Sequence, residues 1–320
     1  MTDVDRAAPL LTVVIPVYGN EGSIRELVAA LTALAEGLDE PIECVFVVDA
    51  SPDQSRALLA EHLAGAPFRA VVADHTRNFG SFAAIRSGLA LGRGELFGVM
   101  AADLQEPPEL MEAFAARLQE GDVQVVIGRR ETRDGDRRGD RVSSDLYWRA
   151  YRRFVMPSVP PGGADVFACT REVRDRLLEL EESNSSLVGL LFWLGYDTAE
   201  VAYERRPRAD GGTSAWTFRK KVRYMMDSIY SFTDLPLRTL RAIGLTGLLL
   251  SVFASLVVAF AWWRGNIDVP GYTPLILTIL ISTMSILSAL GIVGSYVWRA
   301  FENTKRRPLS VVERIEVVEP

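Results

Sequence analysis

Val99-Met100-Ala101-Ala102-Asp103-Leu104-Gln105-Glu106-Pro107-Pro108 is an apolar strand that stops on a carboxylate and an amide, then opens a helix on a pair of prolines. A strand that passes to a helix through a polar turn is the unit of a layered α/β fold. In open sheets of that kind the ligand lies beyond the carboxyl ends of the strands. Asp103 and Gln105 stand at such an end, where a carboxylate and an amide can hold a divalent cation against a diphosphate. The same two residues could equally finish a strand and solvate a turn, so the rest of the chain has to decide.

Working upstream, residues 11–17 and 42–48 are continuous apolar runs, and 69–73, 96–101 and 123–127 read as further strands. Helical patterns over 22–35, 81–91 and 107–118 alternate with them. Ser51-Pro52-Asp53-Gln54 offers an N-cap Ser, Pro at the first helical position and Gln at the third, which predicts a helix starting there. Strand and helix in alternation predict a mostly parallel sheet with helices on both faces, a Rossmann-like α/β architecture. No Gly-x-Gly-x-x-Gly follows the first strand, so a dinucleotide cofactor is not indicated.

Working downstream, the solvent changes near residue 236. Residues 242–263 and 269–298 carry no charge, and each run reaches the ~20 residues a helix needs to cross a bilayer core. Two transmembrane helices are expected, joined by a tight external turn over 264–268. Arg238 and Arg241 precede the first span, and Arg299, Lys305, Arg306 and Arg307 follow the second, which predicts both chain ends in the cytoplasm. Trp262, Trp263, Tyr272 and Trp298 suit the two interfaces. Residues 1–10 are charged without an apolar segment, so no cleavable signal peptide is expected and the first domain should stay cytoplasmic. The predicted organisation is a catalytic domain over 1–210, an amphipathic interface helix over 211–236, the spans over 237–299 and a tail over 300–320. Within that tail, residues 308–318 alternate enough to form a strand that docks back on the first domain.

A formal net charge of −6, from 35 Lys and Arg against 41 Asp and Glu, argues against a nucleic-acid binder. Two cysteines and two histidines cannot build a Cys/His metal cluster or a disulfide framework, and Cys44 sits in a strand pattern where it simply packs.

Four segments then carry a resemblance: Val14-Ile15-Pro16-Val17-Tyr18-Gly19-Asn20-Glu21, Val48-Asp49-Ala50-Ser51-Pro52-Asp53, Arg77-Asn78-Phe79-Gly80 and Asp103-Leu104-Gln105. Together they resemble the family 2 inverting glycosyltransferases of GT-A fold. Within that family they are most similar to the polyisoprenyl-phosphate glycosyltransferases, which include the GtrB type and the dolichol-phosphate mannose synthases. The paired spans favour the GtrB type. The resemblance covers nearly the whole chain. It implies transfer of one sugar, from a nucleoside diphosphate sugar such as a UDP-hexose, to polyprenyl (undecaprenyl) phosphate, with inversion. The setting it implies is the cytoplasmic face of the bacterial inner membrane, in cell-envelope glycan modification, with Mg²⁺ or Mn²⁺ as cofactor. A homo-oligomer is compatible with apolar spans that either meet between protomers or face lipid.

The resemblance also implies roles for individual residues. Pro16, Tyr18, Glu21, Asp49, Arg77, Asn78, Ala102, Asp103 and Gln105 match donor-binding positions. Asp103 and Gln105 match the metal positions, and Asp103 and Asp165 the positions nearest the reacting sugar. Three departures stand out. Val48 replaces the first of two adjacent acids, Ala101 replaces the first acid of Asp-x-Asp-x-Gln, and Phe167 stands where an Arg often lies two residues after the acid matched by Asp165. Glu106 is assigned a structural role as a negative charge at a helix N-terminus.

On the acceptor side, Arg205, Arg206 and Arg208 precede Gly211-Gly212-Thr213-Ser214-Ala215-Trp216, which resembles the family's Gly-x-Ser-x-aromatic phosphate loop, with Ser214 its hydroxyl. Phe218, Val222, Met225, Ile229 and Phe232 follow at helical spacing beside Arg219, Lys220, Lys221 and Arg223. Such a stripe suits a membrane interface, or could instead pack on the sheet. Arg130 and Arg133 lie in a charged stretch that could close over the diphosphate, touch anionic lipid heads, or be only a solvated loop. A phosphate monoester has a second pKa of about 6 and is anionic at neutral pH, so the site needs charge neutralisation more than a general base. A processive polysaccharide synthase is set aside, because more spans and a Gln-x-x-Arg-Trp motif would be expected. A non-catalytic nucleotide-sugar-binding membrane scaffold is the alternative motivated by Ala101 and Val48.

Overall fold

The structure is a computed structural model that describes residues 9–131, 149, 151–153, 156, 159–160, 166–182, 185–206, 218–233, 235–264 and 271–320. Strand and helix alternate through β1 (Leu11–Val17), α1 (Ile24–Gly37), β2 (Ile42–Val48), α2 (Ser55–His62), β3 (Arg69–His75), α3 (Ser81–Leu91), β4 (Leu96–Val99) and α4 (Glu109–Gln119). The order then changes to β5 (Val125–Arg130), β6 (Phe167–Thr170), α5 (Arg171–Glu179), α6 (Leu187–Trp193) and β7 (Thr198–Tyr203). The chain ends with α7 (Phe218–Phe232), α8 (Leu235–Trp263), α9 (Tyr272–Thr304) and β8 (Val312–Val318).

The strands form a sheet of order β7-β5-β6-β4-β1-β2-β3-β8. β3, β2, β1 and β4 are mutually parallel, β6 runs antiparallel between β4 and β5, and β7 is parallel to β5. The near-continuous apolar runs follow from burial on both faces, which parallel strands flanked by helices require. Leu11, Val13, Ile15 and Val17 pack with α1, α2 and α4 on one side, while Val14 packs with α3, α5 and α6 on the other. The α3 side is tight. A Cβ on Gly88 would lie 2.3 Å from Val14 Cγ1.

Several boundaries differ from the sequence expectations for tertiary reasons. β3 runs to His75 because β8 pairs antiparallel along it, with Ala70 opposite Val318 and a register shift between Asp74 and His75. β5 runs to Arg130 because β7 pairs with it up to Arg130 opposite Tyr203. The helix expected at Ser51 begins at Ser55, because the Ser51 hydroxyl is committed to the first loop instead of a helical N–H. The strand expected in the tail forms and docks on the sheet edge. Arg56 reinforces it, with Nη2 2.5 Å from Glu316 and Nε 3.1 Å from Asp74.

α8 and α9 have unbroken helical backbones of 29 and 33 residues. Taken over the described side chains alone, no helix is long and apolar enough to cross a membrane. Positions in both helices lie outside that set, whereas the sequence carries no charge over 242–263 or 272–298. At their base, Arg299 bonds Asp227 of α7 at 2.7 Å, and the Tyr296 hydroxyl donates to the Thr233 carbonyl at 3.2 Å. The stripe of α7 turns inward at its end. Phe232 packs against the core, where a Cβ on Gly189 would meet its ring at 2.4 Å.

Candidate functional site

The connection β1-α1-β2 lies on one face and β3-α3-β4 on the other, so the chain diverges between β1 and β4. That divergence opens a crevice at the carboxyl ends of the two strands, the position where open α/β sheets bind ligands. The turns after β1, β2 and β4 converge there.

The first two turns are laced together by side chains that satisfy backbone donors. Gly19 N–H donates to Ser51 Oγ at 2.8 Å, Asn20 N–H to Ser55 Oγ at 3.1 Å and Glu21 N–H to Asp53 Oδ2 at 3.0 Å. In return Gln54 N–H donates to Glu21 Oε2 at 3.0 Å. Burial opposes ionisation of Asp53. Bonds from the Ser51 and Ser55 hydroxyls and from the Glu21 amide outweigh it and hold the carboxyl below its ordinary range. Tyr18 is left 49 % exposed at the crevice rim, and Pro16 precedes it at the end of β1.

Asp49 directly follows β2 and is only 2 % exposed. Its Oδ1 accepts from Phe79 N–H at 2.8 Å and contacts His75 Nδ1 at 2.8 Å, while Oδ2 accepts from Gly80 N–H at 2.7 Å. Burial pushes its pKa up, but the bonds from His75, Phe79 and Gly80 more than offset this and lower it. The carboxylate therefore fixes the 75–80 segment, where Gly80 takes a φ of +98° that suits glycine. In that segment the Arg77 guanidinium lies 3.9 Å over the Phe79 ring and its Nη1 donates to the Asn78 carbonyl at 3.1 Å. Arg77 and Asn78 are exposed beside the crevice.

Two non-glycine residues in these turns have left-handed backbones, Ala50 at φ +50° and Leu104 at φ +56°. Each costs about 1–2 kcal/mol and is held only by its surroundings. At Leu104 the turn brings Gln105 N–H to 3.3 Å from Asp103 Oδ1. The preceding residue is tied to the first turn, because Ser23 Oγ donates to the Ala102 carbonyl at 2.8 Å.

Arg205, just beyond β7, donates from Nη2 to Gln105 Oε1 at 2.7 Å, and Arg206 N–H donates to the Gln105 carbonyl at 2.9 Å. The Arg206 side chain reaches Glu109 at 3.4 Å. The sequence-predicted donor and acceptor sides thus meet at Gln105. Arg205 Nε is buried without an acceptor. Arg130 ends β5 beside β7, on the same sheet edge.

The matching family model is Glycosyl transferase family 2, over residues 12–179. The chain belongs to glycosyl transferase family 2. Similar proteins include the putative glycosyltransferase CsbB of Bacillus subtilis, 31 % identical over 96 % of this chain and 92 % of that protein. An uncharacterised glycosyltransferase of Synechocystis is 30 % identical over 94 % of each chain. The prophage bactoprenol glucosyl transferase homolog of Escherichia coli is 27 % identical over 96 % of this chain and 99 % of its own. The same fold occurs in glucosyl-3-phosphoglycerate synthase from Mycobacterium tuberculosis, solved with Mn²⁺, UDP-glucose and phosphoglyceric acid. That likeness has a TM-score of 0.50 and 16 % identity, and covers 69 % of this chain and 78 % of the other.

In this family 2 glycosyltransferase, Asp165, Arg133 and Ser214 lie outside the described residues. Arg219 and Lys220 fall on the backbone of α7, where only the helix path is described. For a divalent cation the available donors are the Asp103 carboxylate and the Gln105 amide oxygen, and no group of three His, Cys, Asp or Glu forms a metal cluster among the described residues. Hard oxygen donors completed by diphosphate and water suit Mg²⁺ or Mn²⁺. The residues therefore fit the group. Cys44 and Cys169 do not enter the chemistry. Both are buried, and burial pushes their thiols up, that of Cys169 to about 12.

Sequence reasoning missed the bracing role of Ser51, Asp53 and Ser55 and the contact of His75 with Asp49. The signal for His75 was present. A histidine closing an otherwise apolar strand must find polar partners when buried.

Proposed function

We propose that this glycosyltransferase moves one sugar from a nucleoside diphosphate sugar, a UDP-hexose, to the phosphate of a polyprenyl phosphate, with inversion. The observation that carries the proposal is the 2.7 Å bond from Arg205 to Gln105, which sets an acceptor-side cation against the donor-side turn. The names of bactoprenol glucosyl transferases that match along nearly their whole length support the lipid acceptor. A solved relative in fold that holds Mn²⁺ and UDP-glucose supports the donor.

The acceptor oxygen attacks the anomeric carbon, and the bond to the diphosphate oxygen breaks as the new bond forms. The leaving diphosphate takes the electron pair. The acceptor is already anionic, so no side chain need remove a proton. Arg205 and Arg206 neutralise charge at the meeting point, and Arg77, steadied on Phe79, stands at the other side of the crevice. Asp103 and Gln105 would hold the divalent cation, whose chemistry is to neutralise the departing diphosphate. Asp165, Arg130, Arg133, Ser214, Arg219 and Lys220 complete the proposed acceptor side.

We place α8 and α9 across the bacterial cytoplasmic membrane. Their uncharged sequences over 242–263 and 272–298 would extend about 33 and 40 Å as helix, enough for a bilayer core. Leu249, Phe253, Leu256 and Phe260 on α8 are exposed apolar side chains suited to lipid or a second copy. The return of β8 to the sheet that precedes α8 supports placing both ends of the helix pair on one side, and the flanking arginines support a cytoplasmic side.

The test incubates the protein in lipid with undecaprenyl phosphate and labelled UDP- and GDP-sugars, following label into organic-extractable lipid with and without a chelator. Cation-dependent transfer from one donor, abolished in Asp103→Asn, is the expected result. Donor binding with no lipid product across the panel would refute the proposal.

A further inference from the structure

Behind Asp49 a buried polar chain crosses the sheet edge to the C-terminal tail. His75 Nδ1 lies 2.8 Å from Asp49 Oδ1, and His75 Nε2 lies 2.9 Å from Ser87 Oγ on α3. Ser87 Oγ in turn lies 2.7 Å from Ser310 Oγ, just ahead of β8. Asp49, His75 and Ser87 are all buried. Donor counting sets the direction of the chain's first link. An ionised Asp49 only accepts, so His75 Nδ1 carries the proton and donates to it. The Ser–His–Asp order matches that of an activated nucleophile. Here the serine oxygen is buried and covered by Ser310, so the chain orders its members and does not attack.

The surrounding geometry makes His75 a junction. The register shift of β3 against β8 falls between Asp74 and His75, and Thr76 N–H donates to the Val311 carbonyl at 3.1 Å. Such bulges re-aim a side chain. The Phe79 ring meets His75 edge-on with centroids 5.4 Å apart, and Arg77 lies over Phe79. A shift of the His75 ring is therefore felt at Asp49 and at Arg77 together.

We propose that docking of the C-terminal strand, through Ser310, Ser87 and His75, sets the turn that binds the donor nucleotide, so that His75 and Ser310 are positioning residues for the donor. The proposal rests on the donor assignment above. It makes the segment that leaves α9 at Thr304 a structural part of the donor site.

The test uses the full chain in lipid with Ser310→Ala and Ser310→Thr, which keep the strand and respectively remove and restore the hydroxyl. Three quantities are read: UDP affinity, the separate steady-state constants for donor and acceptor, and amide hydrogen exchange of the 76–82 segment. Ser310→Ala should weaken UDP binding and raise the donor KM about three- to tenfold, as loss of one such bond would. Exchange at Phe79 and Gly80 should quicken, kcat and the acceptor KM should hold, and Ser310→Thr should recover wild-type values. Unchanged UDP affinity or unchanged exchange in Ser310→Ala would overturn the proposal. So would kcat and acceptor KM moving with the donor KM, or Ser310→Thr behaving like Ser310→Ala. Wild-type protein that binds UDP but labels no polyprenyl phosphate would refute the acceptor assignment alone.

Discussion

Asp49→Asn tests the assignment of the β2 carboxylate as the clamp of the 75–80 segment. The native carboxylate accepts from Phe79 N–H, Gly80 N–H and His75 Nδ1. An amide has one accepting oxygen. With that oxygen toward Phe79 and His75, its NH₂ faces the Gly80 N–H donor to donor, and the opposite orientation strands two donors instead of one. A stranded donor costs about 1–3 kcal/mol, and exchanging charge-assisted for neutral bonds about 1 kcal/mol more. Gly80 is only partly buried, so about 2–3 kcal/mol is expected. For a unit of this size that lowers Tm by about 4–12 °C, read by intrinsic tryptophan fluorescence in lipid nanodiscs. The pH dependence has a fixed sign. The native carboxyl is held below its ordinary range, so its contribution is full above the unfolded value of about 3.9 and is lost as pH falls through the folded one. Asn does not titrate, so the gap between the two proteins should start to close as pH falls through about 4. An Asn variant that melts within about 1 °C of wild type at pH 7 would refute the clamp, since that is under half a kcal/mol.

Arg205→Lys keeps the charge but loses the planar fork at Gln105, and kcat/KM should fall about 10²-fold with Tm unchanged. Activity within about threefold of wild type would remove Arg205 from the site. Ala101→Asp restores a carboxylate two residues before Asp103 and should lower the half-activating Mg²⁺ or Mn²⁺ concentration about tenfold in a chelator-buffered titration. No leftward shift would mean that position 101 does not reach the cation. Ala50→Gly relieves a φ of +50° worth about 1–2 kcal/mol against a chain-entropy cost of about 0.5–1 kcal/mol, so a small rise in Tm is expected. A fall would show that the Ala50 methyl packs. Gly88→Ala places a Cβ 2.3 Å from Val14 Cγ1 and 3.3 Å from Val47 Cγ2, costing about 1–3 kcal/mol. Adding Val14→Ala should recover part of the loss, and strictly additive effects would refute direct contact.

The parts of the fold legible in the sequence are those decided by local burial. β1, β2 and α3 have the expected bounds, because apolar runs closed by Gly19, by Asp49 and by Gly80 leave little choice. What escaped was set by distant chain. β3 gained Asp74 and His75 because the tail pairs with them, and β5 gained Arg130 from pairing with β7. The capping pattern at Ser51 was locally sound, but Gly19 offered its hydroxyl a tertiary donor and the helix began four residues later. In the site, the strand-end pattern brought out Asp103 and Gln105, and the family resemblance brought out Asp49 and Arg205. That Arg205 and Gln105 touch could not be read from residues a hundred apart. Nor could the commitment of Asp49 to backbone donors, which depends on the crossover from β2 through α2 to β3.

The two missing acids can be weighed against the arginines. Val48 and Ala101 stand where the family resemblance implies carboxylates, Val48 buried at the end of β2 and Ala101 partly exposed just beyond β4, beside the turns proposed to take a diphosphate and a second phosphate. Two carboxylates fewer means less repulsion toward these anions, at the expense of cation affinity. Arg205 stands on the oxygen of Gln105. Arg77 is steadied over Phe79 on the other side. Charge that a fully ligated cation would supply from one point is thus divided among fixed guanidinium groups, which need no reorganisation as the leaving group develops its charge. On that balance chelation should slow the Ala101 protein less than Ala101→Asp, because the variant concentrates its neutralising charge on the ion. A greater loss in the native protein would show that the cation, and not the arginines, carries the diphosphate.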